Sequence, residues 1–70
     1  MHFTPFARMR LERHRLSRAQ VRQLVHESVI AIPVSGGKVV NEGVIGAQMV
    51  SVIVVPGAPP TVVALTARSL

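Results

Sequence analysis

The residues of this chain best equipped to act on another molecule are crowded into one short stretch. FARMRLERHRLSRAQVR, residues 6–22, holds six of the seven arginines, and His14 stands inside it between Arg13 and Arg15. A guanidinium presents a planar fork of donors that matches phosphate or carboxylate oxygens. An imidazole can exchange a proton near neutral pH. Arg10 and His14 are four residues apart, so on a helix they share a face. A fixed cation and a proton carrier would then stand side by side. Arg18, Arg22 and His26 repeat the spacing and form a second basic stripe, with Arg8 and Arg15 close by in the chain. These five are the candidate phosphate contacts. The plainer alternatives are a solvated helix face for the stripe and, for Arg10, a stem laid over the core with its head in water.

The charge is unevenly placed. Residues 1–27 carry six arginines against Glu12 and Glu27, a net of +4, out of +5 for the whole chain. Such asymmetry points to an acidic partner: nucleic acid, a membrane surface or an acidic protein segment. Phe3 and Phe6 are the sole aromatic residues. No aromatic stacking platform interleaves the basic residues, which argues against single-strand recognition by stacked bases. There is no cysteine, so disulfides and thiolate metal sites are excluded. A carboxylate pair and a nucleophile–base pair are also missing. His26 and Glu27 are neighbours that point apart on a helix, so no metal site and no cofactor are expected. Ser35-Gly36-Gly37-Lys38 lacks the spacing of a phosphate loop and reads as a turn.

These residues need elements to position them. Seventy residues allow one domain, 1–70. Thr4-Pro5 is a helix start, and a first helix is predicted over about 4–14. Phe6, Ala7, Arg10, Leu11 and His14 lie on its inner arc. Ser17 with Gln20 fits a capping box, and Leu16 with Val21 a hydrophobic staple. They open a second helix over about 18–28, with Val21, Leu24 and Val25 as its apolar stripe. β-branched runs then predict strands over about 29–35, 38–45, 48–55 and 61–69. Pro33 makes the first an edge strand or ends it early, and Gly43 marks a bulge or bend in the second. In the last strand, Val63, Leu65 and Ala67 share one face, and Val62, Ala64, Thr66 and Arg68 the other. The expected fold is α+β: two N-terminal helices packed on a three- to four-stranded antiparallel sheet.

Phe3, Ala7, Arg8, Arg10, Leu16-Ser17 and Val21, followed by the strand pair KVVNEGVIGAQMVSVIVV and the final VVALTARS, form a pattern spanning most of the chain. It resembles a family of small bacterial and phage domains of unknown function, similar in layout to RelE/ParE-like and BrnT-like toxins. The resemblance implies action on, or binding to, RNA or the ribosome, and an acidic antitoxin as a partner. Metal-free RNA cleavage needs a base, an acid and cations for the phosphorane charge. Arg10, His14 and Arg68 are the chain's candidates, provided that the first helix packs near the last strand. The chain departs from the family at Phe6, where the family has histidine. That departure implies catalysis weakened or lost.

A third reading needs no nucleic acid. An apolar fraction of 49% in 70 residues is hard to hide in one small monomer. It predicts a homo-oligomer or a partner-binding interaction protein. No apolar run reaches the twenty or so residues of a membrane span, and MHFTPFARMR lacks the core of a signal peptide. A cytoplasmic location with no membrane association is expected.

Overall fold

Thr4 and Pro5 begin a helix for local reasons. In the computed structural model, which describes residues 1–70, Thr4 is extended and its hydroxyl oxygen accepts the Ala7 N–H at 3.2 Å. Pro5 takes the first helical position, where it has no N–H to leave unpaired. Helix α1 (Pro5–His14) ends at Arg15, which sits in the left-handed region at φ 56° and returns its N–H to the carbonyls of Leu11 and Glu12. Glycine is the usual residue in that role, since a side chain there costs about 1–2 kcal/mol. Helix α2 (Arg18–Glu27) opens on a reciprocal capping box. The Ser17 hydroxyl accepts the Gln20 N–H at 3.0 Å, and the Gln20 side-chain oxygen accepts the Ser17 N–H at 2.9 Å. Leu16 and Val21 are both buried across this junction, the arrangement of a hydrophobic staple.

Five strands complete the α+β plan: β1 (His2–Phe3), β2 (Ile30–Val34), β3 (Lys38–Ile45), β4 (Gln48–Val55) and β5 (Thr61–Ser69). Their order in the sheet is β1-β5-β4-β3-β2. The expectation of three or four antiparallel strands after two helices is corrected on two counts. A strand precedes the helices, and it runs parallel to β5, so the sheet is mixed. Two residues are too few to show a periodicity, and the strand exists because β5 offers it an edge. The His2 N–H donates to the Pro60 carbonyl at 2.9 Å and the Thr4 N–H to that of Val62 at 3.0 Å.

The two long hairpins have different turns. β2 and β3 are joined through Ser35–Gly37, where Gly36 and Gly37 take φ of 78° and 70°. β3 and β4 are joined by Gly46-Ala47 with positive φ at Gly46 alone, the requirement of a type II′ hairpin turn. The register from Val39↔Val54 to Ile45↔Gln48 is unbroken, so the bulge expected at Gly43 is absent. Gly43 instead permits close approach of α2: a Cβ there would stand 3.2 Å from the Leu24 side chain. The irregularity lies between β4 and β5, where Ile53 pairs with Ala64 and Val54 with Val62. Val63 is therefore the extra residue of a bulge, and the expected facing of β5 changes with it. Val62 joins Leu65 on the helix side, and both are fully buried.

The core is a single layer between helices and sheet: Ala7, Leu11, Leu16, Val21 and Leu24 above, and Val50, Val52, Val54, Val62 and Leu65 below. α1 lies over β5 and α2 over β3. No helix is long and apolar enough to cross a membrane.

Thr4 connects this architecture, because its hydroxyl also donates to the carbonyl of the bulged Val63 at 3.1 Å. Thr4→Ala removes the cap and orphans that carbonyl, and is expected to cost about 1–2 kcal/mol. Thr4→Ser, which keeps the hydroxyl, should retain most of the stability; urea denaturation of both variants checks this. Arg15→Gly should raise the stability measured in the same transition by up to about 1 kcal/mol.

Candidate nucleic-acid interface

The basic residues are set on the outer surface of the helical layer by the two caps. On α1, Ala7 and Leu11 turn into the core, so Arg8, Glu12 and Arg15 are exposed on the opposite side. On α2, burial of Val21 and Leu24 leaves Arg18, Arg22 and His26 exposed. All five candidate phosphate contacts (Arg8, Arg15, Arg18, Arg22 and His26) thus lie free on the helical side, and Arg13 is exposed as well.

Both phenylalanines are covered by arginines. The Arg10 guanidinium lies 5.1 Å from the centre of the Phe6 ring. This is an i, i+4 pair on α1, displaced to the rim of the arc centred on Ala7 and Leu11. The Arg18 guanidinium lies 5.9 Å from the centre of the Phe3 ring, joining the first turn of α2 to β1. Both distances fall within the range of cation–π attraction. Phe6 stays 46% exposed, and Phe3 packs partly against the core. Arginine and ring thus meet at two places on the helical side. The second helix has no ring of its own, but tertiary packing brings Phe3 to Arg18. The Phe6–Arg10 spacing is visible in the chain, whereas the Phe3–Arg18 pair depends on β1, whose pairing has no local signal.

The three residues expected to supply acid–base chemistry are not brought together. Arg10 and His14 are half-buried on the same side of α1. Arg68 lies on the other side of the sheet: its neighbour Ala67 pairs with fully buried Val50 on the helix side, while Arg68 pairs with Met49. α1 does pack over β5, so the condition for convergence is met. Alternation along the strand then points Arg68 away. His14 has its own peculiarity. Its Nε2 is buried without a hydrogen-bond partner, while its carbonyl accepts from the Gln48 side chain at 3.1 Å.

No group of three histidine or acidic side chains comes together in a way that could hold a metal ion. Of the acidic residues, Glu27 and Glu42 border a shallow groove between α2 and the β3–β4 hairpin, floored by Leu24, Gly43 and Val44. Glu42 also accepts the Ser51 hydroxyl at 2.8 Å.

Fold and surface together define the class: a basic α+β domain with two helices on one face of a five-stranded mixed sheet, and arginine–phenylalanine stacks on its helical side. No family model, curated protein or solved structure matches the chain.

A buried ring nitrogen without a partner costs on the order of 1–3 kcal/mol of desolvation. His14→Leu, which keeps the apolar contacts and removes that nitrogen, is expected to raise the urea midpoint. A lowered midpoint would show that the imidazole is a structural element of the α1 C-terminus.

Proposed function

We propose that this chain is a toxin-type domain that binds RNA, free or in the ribosome, through its helical layer, with catalysis weak or lost. The observation that carries the reading is the pair of stacks, Arg10 on Phe6 and Arg18 on Phe3. An arginine plane or an aromatic ring can hold an unpaired base, and the surrounding arginines supply phosphate contacts. The resemblance to RelE/ParE-like and BrnT-like toxins supplies the toxin part of the proposal. The separation of Arg68 from Arg10 and His14, and Phe6 in place of the family histidine, support weak or absent cleavage. An acidic antitoxin segment would compete for the same arginines. The uncovered second face of the sheet favours the other reading, a small homo-oligomeric interaction protein with no role on nucleic acid.

The test is titration of a fluorescent single-stranded RNA across a range of salt. Binding should weaken steeply with salt. Arg18→Ala/Arg22→Ala should lower affinity and flatten the log–log slope by about 0.7 for each phosphate no longer neutralised. Phe6→Ala should lower affinity by about 10- to 100-fold, the worth of a stacked base, and leave the slope unchanged. Salt-independent binding, or none, would refute the RNA reading. Induced expression should arrest growth if the toxin part holds. Arrest and transcript cleavage that survive both Arg10→Ala and His14→Ala would remove those residues from any catalytic role.

A further inference from the structure

The sheet has two apolar faces and the helices cover one. Along β4, Val50, Val52 and Val54 point into the core, and Met49, Ile53 and Val55 point the other way. Cross-strand register carries the second face onto β2 and β3, where Val40 pairs with both Ile53 and Ile32. An antiparallel sheet with one solvated face normally alternates apolar with polar residues. This one does not. Ile30 and Ile32 are each 47% exposed and Val44 57%. Only 11 of the 70 residues are buried, so the single chain leaves much of its apolar content in water.

We infer that this open face is the interface of a homodimer, two sheets stacked face to face with the helices outside. Three observations select a second copy as the occupant. The first is area. Four strands spaced about 4.8 Å apart, with β3 and β4 each eight residues long, make a face of about 19 by 26 Å. Two such faces bury about 1,000 Å² in total, the size at which specific interfaces begin.

The second observation is charge. The face carries Lys38, Glu42 and Arg68, both signs on one surface, and a two-fold axis can set the carboxylate of one copy against a cation of the other. Glu42 faces this side because it pairs with Ile30 and Ser51, out of phase with buried Val50 and Val52. The third observation is where the remaining charge lies. Residues 1–27 hold a net of +4 on the helical side and β1, so stacking through the sheets keeps the two strongly positive layers as far apart as the molecule permits. Stacked sheets pack about 10 Å apart with their strands about 30° from parallel. The dimer is thus a ten-stranded sandwich between two helical layers.

This inference is independent of the RNA reading. It is tested by sedimentation of the wild-type chain, Ile53→Asp and Ile32→Lys, with circular dichroism to confirm folding. Ile32 lies on the exposed edge strand, so its replacement leaves the core intact even if Ile53→Asp unfolds. A wild-type mass of about twice 7.5 kDa at micromolar concentration, halved in the folded variants, is expected. A folded wild-type monomer would overturn the inference. So would a dimer that persists in folded Ile32→Lys and Ile53→Asp alike, or a different protein held stoichiometrically on this face.

Discussion

One side chain ties the layers together. The Thr4 hydroxyl accepts from the first turn of α1 and donates to the carbonyl of Val63. That carbonyl belongs to the extra residue of the β5 bulge, which regular pairing with β4 leaves out. The bulge turns Val62 inward beside Leu65, and Val62 in turn offers its carbonyl to the Thr4 N–H. Thr4 therefore ends β1, starts α1 and braces β5. Loss of the hydroxyl would loosen all three elements at their common junction. The position of Phe6 and Arg10 follows from the same anchor, because the direction of α1 is set where it leaves the sheet.

The second constraint is thinness. A 70-residue chain can build one apolar layer between helices and sheet, and here the layer rests on valine and leucine with no aromatic residue at its centre. Close approach replaces bulk. α2 comes down on β3 at Gly43, where even a methyl group would press on Leu24. The two phenylalanines, which a larger protein would bury, are left at the rim beneath arginines. There the ring quadrupole steadies a guanidinium and the guanidinium shields the ring from water.

Local chemistry is legible in the sequence and register is not. Ser17 and Gln20 announce their reciprocal bonds by identity and spacing, and Thr4-Pro5 does the same for α1. The β-branched runs locate the four longer strands. The parallel strand at His2–Phe3 has no periodicity to read, since an edge more than fifty residues away in the chain defines it. Gly43 stands out in the sequence for the wrong reason, because a bulge glycine and a packing glycine look alike until the helix above is placed. The Val63 bulge carries no glycine at all. It reverses the facing of Val62 relative to Leu65, which an alternating pattern cannot show. Among the candidate site residues, the stripe of Arg18, Arg22 and His26 follows from helical period alone. The separation of Arg68 from Arg10 and His14 follows from which side of β5 faces α1, a fact of tertiary packing.

The sheet acts as a partition between two chemistries. Its helical side carries six of the seven arginines and both aromatic rings, while its other side carries isoleucine, valine and methionine with two cations, Lys38 and Arg68, against one carboxylate, Glu42. Alternation along β4 enforces the division residue by residue, since each apolar side chain sent inward has one sent outward. A chain built this way can engage an anion on one side and an apolar partner on the other without either competing for surface. Arg68 belongs to the second side. It shares a largely apolar face with Lys38 and Glu42, where a guanidinium is better placed to orient a protein partner than to meet a phosphate held on the far side of the sheet.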